Sequence, residues 1–314
     1  MREGQVQVLR GRDVPLGGVR ALHVRRTLPH RERGLVGAWC FADHYGPLTV
    51  GPGGVEGMDV PPHPHTGLQT VSWLFAGEIE HRDSGGVHAT VRPGEVNLMT
   101  SGSGIAHSEV STSATTVLHG VQLWVALPEG HRDGPRGFEH HAPDAVPLPG
   151  AGTAAVFVGS LPGVAQSPVA SYSPLLGAEL LLEAGARLEL AVDPTYEHGL
   201  LVDSGSLTWD GTLLTGGDLG CADPGSQSLR LAVGRARARV VLLGGTPLRE
   251  EIVMWWNFIG RSHEEIAAWR DAWEAGDDRF GVVPGYAGRV NRVPAPPLPA
   301  VRLRSRGGGR RVGS

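Results

Sequence analysis

The stretch that decides the fold is Val60-Pro61-Pro62-His63-Pro64-His65-Thr66-Gly67-Leu68-Gln69-Thr70-Val71-Ser72-Trp73-Leu74-Phe75, answered further on by Gly104-Ile105-Ala106-His107-Ser108-Glu109. In a β-strand, residues i and i+2 point to the same face, so His63 and His65 project together, as do His107 and Glu109. Pro64 gives up an amide hydrogen, which a sheet tolerates at an edge or a bulge. Thr70–Phe75 is rich in aromatic and β-branched residues and reads as a strand, and Arg92-Pro93-Gly94-Glu95 supplies a turn that returns the chain. With the two strands as barrel neighbours, His63, His65, His107 and Glu109 converge on one interior point. One His-x-His is unremarkable in a chain with 14 histidines. A His-x-His followed by a His-x-Glu, each on a strand-like segment, is a metal-site pattern.

Three neutral imidazoles and one carboxylate suit a divalent first-row metal of borderline softness; an all-carboxylate set would have favoured magnesium or calcium. Iron(II), manganese, nickel and copper all satisfy this donor chemistry, and zinc stays among the alternatives. A structural tetrahedral zinc site is disfavoured, because no thiolate takes part. Four protein ligands leave two octahedral positions for small molecules.

Working outward, the same texture of short apolar segments and glycine turns fills most of the chain. Glycine (47) and proline (24) are too frequent among 314 residues for a helix bundle. Residues 1–130 read as one antiparallel β-barrel, 131–153 as a Pro/Gly-rich connection, and 154–249 as a second barrel with similarly spaced turns. The two halves share a weak internal duplication. Residues 250–299 hold the one expected helix. Ser262 and Glu265 form a capping box, Gly276 stops the segment, and Ile266, Trp269 and Trp273 make an apolar stripe. The second barrel has no matching metal pattern. Its His198, in Tyr196-Glu197-His198-Gly199, reads as a structural histidine.

Charge and cysteine usage remove other classes. All 28 cationic side chains are arginine, against 32 acids, for a net charge of −4. Residues 300–314 are an Arg-rich tail, expected to be disordered, whose five arginines are the sole basic signal for nucleic acid. No apolar run approaches the ~18 residues a membrane helix needs, and the N-terminus lacks the apolar segment of a signal peptide. Two isolated cysteines, Cys40 and Cys221, exclude a disulfide scaffold and fit a reduced, cytoplasmic setting. A monomer is the expectation from the two-barrel length.

These residues closely resemble the pirin family of the cupin superfamily. The resemblance is carried by His63-Pro64-His65-Thr66-Gly67-Leu68-Gln69-Thr70, Gly77-Glu78-Ile79-Glu80-His81-Arg82-Asp83-Ser84, Arg92-Pro93-Gly94-Glu95-Val96 and Gly104-Ile105-Ala106-His107-Ser108-Glu109. Flanking similarity lies in Leu28-Pro29-His30-Arg31, Asp43-His44-Tyr45-Gly46-Pro47 and His119–Val125, and fades toward Pro299. The resemblance implies a bicupin, all-β, with two tandem cupin-type antiparallel barrels and a C-terminal helix. It also implies one mononuclear iron, Fe(II) when active, held in the first barrel by His63, His65, His107 and Glu109. One departure is Gln69, where pirins usually carry Glu. That position is not an iron ligand, so metal binding should survive with an altered neighbouring charge.

The resemblance further implies quercetin 2,3-dioxygenase activity, in which O2 cleaves a flavonol ring and carbon monoxide leaves. Glu109 is the candidate catalytic base for the enolic hydroxyl, with His44, His81 and Asp83 as weaker supporting candidates and Leu68, Trp73 and Met99 as candidate apolar lining. The expected partners are a small aromatic or enolic substrate and O2. The alternative reading is a redox-sensing regulatory pirin that binds a protein partner and modulates transcription or a metabolic enzyme.

Overall fold

The computed structural model describes residues 6–16, 22–51, 56–288 and 290–307. Among them every regular element is a β-strand apart from one α-helix, His263–Ala275. No helix among these residues is long and apolar enough to cross a membrane. Contacts divide the chain into two units that are not contiguous in sequence. One gathers Met1–Asp13, Arg25–His44 and His140–Pro247; the other gathers Val14–Val24, Tyr45–Glu139 and Leu248–Ser314. The sequence texture places boundaries at 130 and 153 instead, because it cannot report that Gln7–Arg10 pairs with Asp218–Ala222 at the edge of the later sheet.

In that later unit the order Gln7–Arg10, Asp218–Ala222, Glu197–Ser204, Ala238–Gly245, Leu175–Leu182, Gly152–Leu161, Val146–Leu148 makes one sheet. A second sheet runs Arg187–Ala191, Ser228–Val233, Ser206–Trp209, Thr212–Thr215. Alternate residues such as Leu176, Ala178, Leu180 and Leu182, or Val240 and Leu242, enter a shared core with Leu207, Trp209, Leu229 and Leu231.

The other unit repeats this plan. Its four-stranded sheet runs Asp59–His65, Ile105–Ser111, Ile79–Asp83, His88–Val91, and Val96–Thr100, Leu68–Ala76 and Val117–Ala126 lie side by side in a second sheet. The strand corresponding to Ile105–Ser111 in the later barrel is Ser228–Val233, which buries Leu229, Leu231 and Val233 where the first buries His107 and Glu109. The duplicated topology bears out the weak repeat in the sequence. Two of the strands fall inside the stretch read as a connection: Gly137–His141 beside Val96–Thr100, and Val146–Leu148 paired with Gly152–Ala154.

The C-terminal segment completes the first of the two barrels. The hairpin Glu251–Trp255 and Phe258–Gly260 reaches it at Thr66, whose carbonyl accepts from Ile259 N at 3.1 Å. Phe258, Ile266, Trp269, Trp273 and Phe280 pack in one cluster with Ala106. Ser262 caps the helix, accepting from Glu265 N at 3.2 Å. The return half of the capping box lands one residue early, with Arg261 N donating to Glu265 Oε2 at 2.6 Å. Gly276 ends the helix at φ 73°. Part of the expected disordered tail is bound: Arg302 pairs with Glu264, Ser305 Oγ donates to Glu251 at 2.7 Å, and Arg306 pairs with Ile252 as a short strand. Residues 308–314 of that tail lie outside the described residues.

Candidate metal centre

Antiparallel pairing brings the two dipeptide-spaced motifs together. His107 lies opposite His63 on one side and opposite Asp83 on the other, so Ile105–Ser111 is flanked by both functional strands. On the first side a bulge between His107 and Glu109 shifts the pairing and leaves Glu109 opposite Val60, while on the other side the regular register sets it opposite His81. The ring centroids of His63, His65 and His107 are 4.4 to 5.0 Å apart. One ligand nitrogen from each of these three histidines lies within 4.8 Å of the others. Glu109 falls in a second, overlapping set with His107 and His81 at the same spacing.

All four expected ligands are buried, between 1% and 7% exposed. Burial holds His63 down to about 4, and burial with neighbouring imidazoles holds His65 and His107 well below the usual range. The rings are therefore neutral at physiological pH, the form that can ligate a metal. Burial raises the Glu109 carboxyl, opposed by His81 and by the Ser72 hydroxyl that donates to its Oε1 at 2.9 Å. Gln122 lies 2.9 Å from the same hydroxyl.

Backbone carbonyls fix two of the tautomers. His63 Nδ1 donates to Pro61 O at 2.9 Å, and His65 Nδ1 donates to Asn257 O at 3.0 Å. In a neutral ring the donating nitrogen carries the single proton, so Nε2 of each presents a lone pair. His65 Nε2 stands 3.1 Å from His107 Nε2, close to the roughly 3.0 Å that separates two nitrogens bound at right angles to one metal at ~2.1 Å. The residues present fit a divalent transition metal. The thiols play no part: both cysteines are buried, and burial pushes Cys221 up to about 12.

The remaining candidates sort themselves by position. His81 touches His107, Nδ1 to Nδ1 at 3.3 Å, and its Nε2 lies 3.1 Å from Asp83 Oδ2. His44 is placed elsewhere, bonding Asp203 at 2.7 Å within the unit that holds the later barrel. Gln69 is fully buried and its amide donates to Thr100 Oγ1 at 3.0 Å. Leu68, Trp73 and Met99 are core residues, 0 to 1% exposed. The rings against the cluster are Trp124, 5.1 Å from His65, and Phe138, 4.8 Å from His81. Sequence reading missed Asn257, Ser72 and Gln122. A carbonyl leaves no sequence signal, and Ser72, three residues after Gln69 on one regular strand, falls on the opposite face under period-two counting.

Two barrels of repeated topology, one lined by clustered histidines and the other by leucines on the matching strand, define a bicupin. The chain belongs to the pirin family. The pirin model matches residues 21–125, and the model of the pirin C-terminal cupin domain matches residues 177–281. A Pseudomonas aeruginosa protein provisionally named quercetin 2,3-dioxygenase is 45% identical over 298 residues, covering 95% of this chain and 92% of its own. The crystal structure of a quercetin 2,3-dioxygenase from Acinetobacter baumannii superposes with a TM-score of 0.88 at 36% identity, covering 96% of this chain and 97% of that one. A bacterial pirin from Escherichia coli solved in complex with nickel(II) shares the fold at a TM-score of 0.60 and 17% identity, covering 78% of this chain and 100% of its own.

Proposed function

We propose that this pirin is a metal-dependent dioxygenase that holds Fe(II) on His63, His65, His107 and Glu109 and acts on a small enolic aromatic, with a flavonol such as quercetin as the model substrate. The observation that carries the reading is the convergence of three buried imidazoles, His63, His65 and His107, with His65 Nε2 and His107 Nε2 3.1 Å apart. Nitrogens that close can share a proton or a cation, and the Nδ1–H bonds of His63 and His65 to backbone carbonyls leave the Nε2 of each free to ligate a cation. The names of the Pseudomonas and Acinetobacter proteins support this substrate class.

A bound ferrous ion would supply Lewis acidity and an electron for O2. The chain's own residues do the rest. Glu109 takes the proton of the enolic hydroxyl. Ser72 steadies its Oε1, leaving the other oxygen to act. Trp124 and Phe138 provide flat apolar walls beside the histidines and keep water from the site.

Metal analysis of purified protein, followed by an oxygen-electrode assay with quercetin after anaerobic Fe(II) loading, tests this. We expect one metal per chain, oxygen uptake that requires quercetin, and loss of both in His63→Ala. Glu109→Gln should lower the rate per bound metal by about 100-fold or more; an unchanged rate removes Glu109 as the base. One iron per chain with no uptake across a panel of enolic substrates would overturn the enzyme reading in favour of a redox-sensing, partner-binding role.

A further inference from the structure

Among the described residues, no carbonyl fixes the tautomer of the third imidazole. His63 and His65 each give Nδ1–H to the backbone, but the hydrogen-bond partner of His107 Nδ1 is another imidazole nitrogen, His81 Nδ1, at 3.3 Å. One of these two must donate and the other accept. The choice is made one residue further out. His81 Nε2 lies 3.1 Å from Asp83 Oδ2, and Asp83 Oδ1 already accepts from Gly85 N at 2.8 Å and Val87 N at 3.1 Å. A carboxylate receiving those two amides is an acceptor toward the ring as well, so the His81 proton sits on Nε2. His81 Nδ1 then carries a lone pair and accepts from His107 Nδ1–H. His107 Nε2 is left unprotonated, aimed at His65 Nε2.

Resting on the metal-centre reading above, we propose that His81 and Asp83 are positioning residues that set the His107 tautomer and so make the third ligand competent. The side-chain relay Asp83–His81–His107 does for His107 what single carbonyls do for the other two histidines. All three of its members are buried, at most 3% exposed, so water does not substitute for a missing link. The relay is also built on strands that are directly paired, with His107 opposite Asp83 and Glu109 opposite His81.

Asp83→Asn is the discriminating change. Asn can keep the two backbone amide bonds through its carbonyl oxygen, while its NH2 faces His81 Nε2 and demands an acceptor there. The His81 proton moves to Nδ1, His107 Nδ1 must accept, and His107 Nε2 becomes protonated and unable to ligate. An aspartate that holds a histidine tautomer shows the same inversion in other enzymes. His81→Gln should be tolerated, because the amide oxygen accepts from His107 Nδ1–H whichever residue stands at 83.

The test uses full-length, metal-free protein. Long-range 1H–15N spectra report the tautomer of each histidine, and Co(II) titration followed by its visible absorption reports affinity. We expect Asp83→Asn to move the His107 proton from Nδ1 to Nε2 and to weaken Co(II) binding about 10- to 100-fold. We expect His81→Gln to bind within about threefold of wild type, and Asp83→Asn to cost nothing further when combined with His81→Gln. Equal losses with and without His81→Gln would overturn the relay and leave Asp83 as a turn-forming residue. Should Asp83→Asn fail to fold, His81→Leu against His81→Gln makes the same comparison: loss in the former and retention in the latter support the relay, and equal binding refutes it. His63→Ala separates the two readings. If it abolishes Co(II) binding while Asp83→Asn does not alter it, the relay alone fails; if His63→Ala binds as wild type, the metal centre itself fails.

Discussion

His198 gives the later barrel an acid-sensitive point whose size follows from its surroundings. The side chain is fully buried, and neither ring nitrogen has a hydrogen-bond partner among the described residues. Burial lowers it to about 4, with Asp193 pulling weakly the other way. At pH 7 the ring is neutral in folded and unfolded chains alike. As pH falls below about 6.5 the unfolded chain takes up a proton that the folded one refuses until about 4, so folding is progressively disfavoured over that window and levels off beneath it. Integrated across the window, the loss is about 3 kcal/mol, a sizeable share of a domain's stability. His198→Leu, a replacement of similar bulk, removes both the titration and two orphaned polar atoms. Urea unfolding of metal-free protein at pH 7, 6, 5 and 4.5 provides the comparison. Subtracting wild type from variant cancels the other histidines and leaves the His198 contribution. The variant's advantage should widen steadily as pH falls. Parallel stability profiles, or a His198 Cε1 resonance that titrates near 6.5, would refute the reasoning.

Two further outcomes probe the C-terminal segment. Gly67 has φ 68°, and a Cβ there would run into the carbonyl of Ile259. Gly67→Ala should therefore cost about 1–3 kcal/mol and displace the hairpin that brings Asn257 O to His65, weakening Co(II) binding as well; metal affinity equal to wild type would show that this carbonyl is dispensable. Ser262→Ala removes the hydroxyl that caps the helix and should lower stability by about 1 kcal/mol in urea titration, with the metal site unaffected.

Much of the centre was legible because strand periodicity is strict. His63, His65 and His107 could be placed on common faces by counting in twos, and the turn at Arg92–Glu95 made their strands credible neighbours. The same counting pairs His81 with Asp83, so the relay was present in the sequence but had no metal-ligand spacing to mark it. Glu109 shows the limit of the method: a bulge after His107 shifts its pairing with Asp59–His65 and sets it opposite Val60, and bulges leave little trace in a single sequence. The carbonyl of Asn257 is 192 residues from the ring it holds, and nothing in composition links the two. Similarly, Gly137–His141 lies in a stretch crowded with proline and glycine, where local propensity argues for a loop and tertiary pairing overrides it.

The interleaved membership of the two units constrains how the protein can be made. Leu248–Ser314 belongs with the histidine barrel, so a ribosome that has released only the histidine strands has not yet synthesised the carbonyl on which His65 rests. Cutting the gene between the barrels would separate that ring from its anchor and deprive the other piece of its edge strand Gln7–Arg10. Maturation of the metal site is thereby deferred until the segment carrying Asn257 has been made, and an ion captured earlier would meet an unfinished nest.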